Sequence, residues 1–360
     1  MKGYQAPVWL IGGHAQTIWP ALFAKRFAGP APSFVRERWT APDGDFIDVD
    51  WQMSAPGGGV PPPPPGGVRA GPSTQLRTGL GAARRSARDD PSPDVDAPLL
   101  VLFHGLEGSS SSHYAQAFGD RARADGWRFA VPHFRGCSGE LNLAPRAYHS
   151  GDFEEVGWIL QRFRAEHRGP IVAIGVSLGG NALLRWAEEA GESAAQTVRA
   201  VCAVSSPIDL TAGGHAIGRG FNRIVYTRMF LRTMVPKALA KLAQHPGLFD
   251  RDRLLAARDL YAFDNVFTAP LHGFRDTDDY WSRGSAKPHL HRIRVPALVL
   301  NARNDPFVPA SCLPAPHEVG KHVTLWQPAH GGHVGFPAGG FPGHVLALPA
   351  LAMDWMKSHL

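Results

Sequence analysis

Short apolar runs alternate with helical segments from residue 98 onward, and this alternation constrains the fold more than any other feature. The apolar runs lie at 99–103, 127–131, 171–174, 198–204, 295–300 and 323–326. The intervening and closing patterns predict helices over 115–124, 153–166, 178–190 and 345–356. Continuous Val, Ile and Leu runs separated by helices are typical of a parallel sheet covered on both faces. The sequence therefore predicts an α/β fold with a mostly parallel central sheet.

Two segments lie outside this alternation. Residues 34–51 alternate between apolar and polar side chains around the turn sequence Pro42–Asp45, which predicts a β-hairpin. Residues 56–96 hold nine prolines, eight glycines and no aromatic residue, so we expect a disordered insertion. A polyproline II ligand for an SH3 domain is the alternative interpretation of the run Pro61–Pro65.

Composition and charge exclude several classes of protein. Gly and Pro together make up 72 of 360 residues, which a helical bundle would not tolerate, and 44% hydrophobic residues exclude a wholly disordered chain. The net charge is +6, but the basic residues are scattered among acidic ones with no run of five like charges. A nucleic-acid binder is expected to show a basic stripe, so we predict no nucleic-acid partner.

Cysteine spacing and hydropathy indicate the compartment. Cys137, Cys202 and Cys312 lie far apart, which argues against a disulfide framework and suits a reducing environment. The first apolar run, 8–11, is too short for a signal peptide, and no run approaches the length of a membrane span. We expect a cytoplasmic protein without stable membrane insertion, and a monomer is compatible with the sequence.

The strongest chemical signal is the sequence Gly-Val-Ser-Leu-Gly-Gly at 175–180, between a predicted strand and a predicted helix. This G-x-S-x-G context is that of a nucleophile elbow, in which Gly175 and Gly179 flank a turn too sharp for a Cβ. The turn would expose the Ser177 hydroxyl at a helix N-terminus, which favours developing negative charge. We predict that Ser177 is a nucleophile.

A nucleophilic serine needs a base and an orienting acid. In proteins with a G-x-S-x-G elbow, the acid follows the serine along the chain and the histidine follows the acid. Asp305 follows the strand 295–300 in a loop that Pro306 stiffens, and we predict that it is the acid. Asp209 is the rival acid, with a helix cap as its alternative role. His333 is the predicted base, whereas His330 is expected to support the loop.

An oxyanion hole would complete the site. The backbone N–H of Leu178 follows the nucleophile, and the N–H of Leu106 lies in the loop after the strand 99–103. Glu107 either orients that loop or is solvated. Paired histidines invite a metal hypothesis, but no Glu or third ligand accompanies them, so we expect neither a metal nor another cofactor.

Several motifs resemble those of the YheT-like (AB-hydrolase-4) group of α/β-hydrolase fold proteins. They are the H-x-Q-T segment at 14–17, H-G-L-x-G-S at 104–109, R-G-x-x-G at 135–139, the elbow, T-A-P at 268–270, N-D-P at 304–306 and H-G-G-H at 330–333. The group's pattern does not require the insertion at 56–96. The resemblance implies an α/β-hydrolase fold and a serine esterase acting on short-chain, medium-chain or lipid esters. It also implies Ser177, Asp305 and His333 as the triad.

With that fold, the chain divides into five parts. They are an N-terminal segment with the hairpin (1–55), the insertion (56–96), a core with the elbow (97–210), a helical lid (211–290) and a core with acid and base (291–360). We call 211–290 the lid segment. Its candidates for lining an acyl pocket are Phe221, Tyr226, Met229, Phe230, Leu231, Tyr280 and Trp281, with core packing as the alternative.

The predicted reaction is hydrolysis of an ester through an acyl-enzyme intermediate. An acyltransferase on the same scaffold differs only in the acceptor and stays open, as does a peptidase. A non-catalytic binding protein of the same fold is the alternative from another class. The complete Ser177–Asp305–His333 set favours an enzyme over it.

Overall fold

The computed structural model describes residues 3–53 and 96–360. The expected insertion over 56–96 therefore lies outside the described residues, apart from Asp96.

The described residues form one sheet of eight strands, and the predicted α/β class is confirmed. The strands are β1 (Phe34–Thr40), β2 (Phe46–Gln52), β3 (Leu99–Phe103), β4 (Arg128–Pro132), β5 (Ile171–Val176), β6 (Ala200–Val204), β7 (Ala297–Leu300) and β8 (Val323–Trp326). Their order across the sheet is β1-β2-β4-β3-β5-β6-β7-β8. The hairpin β1–β2 joins β4 antiparallel, and all pairs from β4 to β8 are parallel. The carboxyl ends of six strands consequently meet at one edge.

Helices cover both faces of this sheet. They are α1 (Gly13–Leu22), α2 (His113–Ala124), α3 (Phe153–Glu166), α4 (Leu178–Ala190), α5 (Ala194–Thr197), α6 (Leu210–Ile217), α7 (Gly220–Asn222), α8 (Arg228–Gln244), α9 (Arg251–Ala256), α10 (Leu260–Val266), α11 (Thr268–Leu271), α12 (Thr277–Gly284) and α13 (Ala347–Lys357). A π-helical turn, Arg223–Thr227, joins α7 to α8. Helix α1 has no counterpart among the sequence predictions.

Successive residues of the central strands enter opposite cores, as the two-residue period of a strand requires. Val101 and Phe103 pack with α3 and α4, whereas Leu100 and Leu102 pack with α2 and α13. All four side chains are fully buried. The strands are thus buried on both sides, which explains their continuous apolar runs.

A buried amide side chain helps to attach the end of the lid segment to the core. Asn181 lies on α4 just after the elbow and is fully buried. Its Nδ2 donates to the carbonyl oxygens of Ser150 (2.8 Å) and Gly284 (2.7 Å), and its Oδ1 accepts from the N–H of Ala286 (3.0 Å). Asn181 thereby links α4 to the end of α12.

We expect Asn181→Ala to lower the free energy of unfolding by about 3 kcal/mol, because it leaves three buried backbone groups without partners. Urea denaturation of the purified variant measures the change. The control Gln161→Ala, on the exposed side of α3, should change stability by less than about 0.5 kcal/mol. Equal effects of the two substitutions would contradict the structural role of Asn181.

Candidate active site

The turn between β5 and α4 holds Ser177 in a strained backbone conformation, with φ 53° and ψ −119°. A Cβ on Gly179 would lie 2.5 Å from the carbonyl oxygens of Phe103 and His104. A Cβ on Gly175 would overlap the backbone at the start of α4. Helix α4 therefore approaches the strands closely only because these positions are glycine. This approach lifts the Ser177 side chain above the sheet edge.

Three predicted site residues form a continuous chain of hydrogen bonds. The Nε2 atom of His333 lies 3.0 Å from Oγ of Ser177, and its Nδ1 atom lies 2.9 Å from Oδ2 of Asp305. Asp305 is 5% exposed, and its Oδ1 accepts from the N–H of Phe307 at 2.8 Å. Because a carboxylate only accepts, Nδ1 of His333 carries the proton and Nε2 is free to accept from Ser177. The arrangement can remove a proton from the serine hydroxyl.

The rival residues lie elsewhere. Asp209 caps α6 by accepting from the N–H of Ala212 at 2.9 Å. His330 is exposed, and its Nδ1 lies 3.4 Å from Nδ2 of Asn304. Neither residue is hydrogen-bonded to His333 or Ser177 in the described parts of the chain.

Helix α1 supports the loop that carries His333, a role that sequence reasoning missed. Oε1 of Gln16 accepts from the N–H of Gly331 at 2.9 Å, and Oγ1 of Thr17 accepts from the N–H of His333 at 2.8 Å. Gln16 is 2% exposed. The available signal was the H-x-Q-T segment, whose glutamine and threonine are these two residues.

The two predicted oxyanion-hole residues, Leu106 and Leu178, line the same cavity as Ser177 and His333. Among the described residues, no protein group accepts a hydrogen bond from either amide. Glu107 does not extend into solvent. Its carboxylate binds the Tyr148 hydroxyl at 2.9 Å and Nζ of Lys237 at 2.8 Å, so it orients the loop.

The cavity above Ser177 has a volume of about 160 Å³, and the lid segment supplies about half of its lining residues. Of the seven predicted lining residues, Phe230, Tyr280 and Trp281 face it. The prediction is wrong for Phe221, Tyr226, Met229 and Leu231. Phe221 and Met229 are exposed, Tyr226 packs on Phe307, and Leu231 packs within the lid segment. Along the stretch from α7 to α8, only the side chains on the inward face reach the cavity.

Charged groups at the cavity wall are paired with protein partners. Arg135 binds Asp43 (2.8 Å), Asp45 (2.7 Å) and Glu155. Lys241 donates to backbone carbonyl oxygens, and burial lowers the pKa of its ammonium to about 8.

A half-buried carboxyl lies in the same wall. Asp264 accepts from the Thr268 hydroxyl at 2.6 Å and from Nε1 of Trp281 at 2.9 Å. Burial raises the pKa of Asp264 to about 6. These hydrogen bonds join α10, α11 and α12 at the cavity.

Two other kinds of feature, a metal site and a membrane-spanning helix, are absent from the residues that the structure describes. No group of three or more His, Cys, Asp or Glu side chains is arranged to hold a metal ion. No helix in residues 3–53 and 96–360 is long and apolar enough to cross a membrane.

A serine on a strand–helix elbow, above a mostly parallel eight-stranded sheet, defines the α/β-hydrolase class of fold. Comparison with known families agrees, because the family described as alpha/beta hydrolase fold matches residues 98–339. YheT of Escherichia coli, whose name describes it as an esterase, is 34% identical over 96% of this chain and 91% of its own. The chain belongs to the YheT-like group of the α/β-hydrolase family.

More distant proteins resemble the chain as well. Mouse phospholipase ABHD3 is 30% identical over 69% of this chain, which spans 61% of that relative's length. Among solved structures, the esterase PF2001 of Pyrococcus furiosus matches with a TM-score of 0.51 and 14% identity, covering 94% of this chain and 98% of that one. The last similarity supports the fold alone.

The loop carrying Leu106 depends on a neutral histidine. His104 is fully buried, its Nε2 accepts from the N–H of Phe134 at 3.1 Å, and its Nδ1 lies 2.8 Å from the carbonyl oxygen of Gly105. Burial, with the charge of His133, lowers the pKa of His104 to about 3. A proton on Nε2 would break the bond to Phe134.

Stability should therefore fall as the pH drops below the unfolded-state pKa of about 6.5, where only the unfolded chain binds a proton at His104. Between pH 7.5 and 5.5, His104 should remove about 1.4 kcal/mol from the free energy of unfolding. His104→Gln keeps a donor and an acceptor, and should abolish this part of the pH dependence in denaturant titrations. The exposed control His317→Gln should keep it. Identical pH profiles for wild type and His104→Gln would refute the assignment.

Proposed function

We propose that the protein is a serine hydrolase of carboxylic esters, with Ser177 as nucleophile, His333 as general base and Asp305 as the orienting acid. The hydrogen-bonded chain from Ser177 through His333 to Asp305 carries the proposal. It joins the elbow to a buried carboxylate, which is the arrangement that activates a serine hydroxyl.

The reaction proceeds in two halves. His333 takes the proton of Ser177 as Oγ attacks the ester carbonyl, and the amides of Leu106 and Leu178 bind the oxyanion. His333 then gives the proton to the departing alcohol. Water, deprotonated by His333, attacks the acyl-enzyme, and His333 returns that proton to Oγ of Ser177 as the acid leaves. Asp305 keeps the proton on Nδ1 and stabilises the imidazolium that forms in each half.

The substrate is an ester with an apolar acyl group of short or medium length, or a lipid ester. Apolar side chains such as Ile217, Phe230, Met234, Phe263 and Phe267 line the cavity around Ser177. Two relatives are named as an esterase and a phospholipase, and both names denote enzymes that cleave esters, which supports this substrate class. The reaction requires no metal or cofactor.

Removal of the nucleophile is the first test. We expect Ser177→Ala to lose fluorophosphonate labelling and to lower kcat for p-nitrophenyl esters by about 10⁶-fold, since the other groups cannot replace the serine oxygen. Ser193→Ala, on the surface, should be labelled like wild type. Unlabelled wild-type protein, or equal labelling of Ser177→Ala, would exclude the proposal.

The two acids allow a matched comparison. Asp305→Asn should reduce kcat about 10⁴-fold, because an amide at this position favours the wrong tautomer of His333. Asp209→Asn makes the same chemical change at a helix cap, where Asn and Asp are about equally good. It should retain kcat within about twofold. The assignment of the acid fails if Asp209→Asn is the more damaging substitution.

A further inference from the structure

The net charge of the chain resides in one segment of 40 residues. Residues 210–249 contain six basic side chains and no acidic one, whereas the other 320 residues hold 31 basic and 31 acidic side chains. The basic residues of the segment are Arg219, Arg223, Arg228, Arg232, Lys237 and Lys241. The expectation that basic residues are scattered among acidic ones is therefore wrong for this part of the chain.

The six cations divide into two sets. Lys237 and Lys241 face the cavity and bind Glu107 and backbone carbonyl oxygens. The four arginines are exposed, and their guanidinium groups make no ion pair or hydrogen bond with any residue in 3–53 or 96–360. Four unpaired cations therefore project from the outer side of the lid segment.

Large apolar side chains lie between these arginines. Phe221, Ile224 and Met229 are 50%, 64% and 53% exposed, although most side chains of this size in the described chain are buried. We call the four arginines and these three residues the lid face. Exposed arginines beside exposed large apolar side chains offer both attractions that hold a peripheral protein on a membrane, which are charge attraction to anionic lipids and burial of apolar area.

We propose that the lid face docks on the surface of an anionic phospholipid bilayer. The arginines complement the lipid phosphates and anionic headgroups, while Phe221, Ile224 and Met229 enter the boundary between headgroups and acyl chains. A nucleic acid would use the arginines but would gain little from exposed Ile224 and Met229. The aliphatic side chains thus favour the lipid surface.

The neighbouring structure extends the same surface and connects it to the cavity. The ring of His14 on α1 lies 4.5 Å from that of Phe221, and Ile11 just before α1 is 84% exposed. On the same helix as Met229, Phe230 and Met234 turn inward and line the cavity. A docked lid face would place this cavity wall against the bilayer, where lipid esters reside.

Vesicle flotation tests docking separately from catalysis. Protein carrying Ser177→Ala is mixed with vesicles of phosphatidylcholine alone, or with added phosphatidylglycerol. We expect it to float only with the anionic vesicles, and about 1 M NaCl, which reduces the Debye length to about 3 Å, should weaken binding at least tenfold. Binding with Ser177→Ala keeps this test valid even if the proposed ester hydrolysis fails.

Two pairs of variants locate the surface. Replacing Arg219, Arg223, Arg228 and Arg232 by Gln should weaken partitioning by about fivefold per residue, or several hundredfold in all. The same change at exposed Arg251, Arg253, Arg292 and Arg294 removes equal net charge and should leave most binding intact. Phe221→Gln with Ile224→Gln should abolish the binding that remains at high salt, whereas Val35→Gln with Leu255→Gln should not.

Three results would overturn the proposal. The first is absence of binding to anionic vesicles by a folded protein. The second is equal loss of binding in the two arginine variants, which would indicate a response to net charge alone. The third is tighter binding to a single-stranded oligonucleotide than to vesicles, lost on replacing the four arginines.

Discussion

The contact of backbone on backbone at the elbow governs the rest of the site. Gly179 lies against the carbonyl oxygens that end β3, so α4 starts directly above the sheet edge. Parallel pairing aligns Phe103 with Gly175, and Val176 with Val204. The loops that follow β3, β5 and β6 consequently begin at one level, where the carboxyl ends of parallel strands form a ligand crevice. A side chain in place of Gly179 would separate these loops by pushing α4 outward.

Backbone strain concentrates around the same crevice. Among the described residues, the non-glycine positions with positive φ are Glu107, Ser177, Ser205, Val334 and Phe336. Ser205 accepts a hydrogen bond from the N–H of Val334 at 3.0 Å, so two strained residues hold each other next to His333. Such conformations each cost about 1–3 kcal/mol and persist only where the surroundings enforce them. The buried side chains of Gln16 and His104 provide that enforcement for the loops of His333 and Leu106.

The sequence was sufficient for features that local pattern determines. The apolar runs predicted the first and last residues of strands β3 to β8 to within about three positions. The elbow and the loops after it predicted the groups that the structure brings together at Ser177. It was insufficient where distant segments meet. The bond between Gln16 and Gly331 joins residues 315 positions apart, and no local pattern specifies it. Four of the seven predicted cavity-lining residues were also wrong, namely Phe221, Tyr226, Met229 and Leu231, because the π-helical turn Arg223–Thr227 alters the helical phase in this stretch.

Helix α8 connects the outer surface to the loop that carries Leu106. Its inner side carries Lys237, which binds the carboxylate of Glu107 at 2.8 Å, and Glu107 is the residue directly after Leu106. The Tyr148 hydroxyl accepts from the N–H of Glu107 at 3.0 Å and also bonds its carboxylate, so side chain and backbone are fixed together. A displacement of α8 has to break the Lys237–Glu107 pair or shift the loop with it. Glu107 is largely shielded from water, whereas the Lys237 side chain is 39% exposed, so solvent screens the pair in part. The Lys237–Glu107 ion pair is therefore a direct contact between the arginine-bearing helix and the residue next to Leu106.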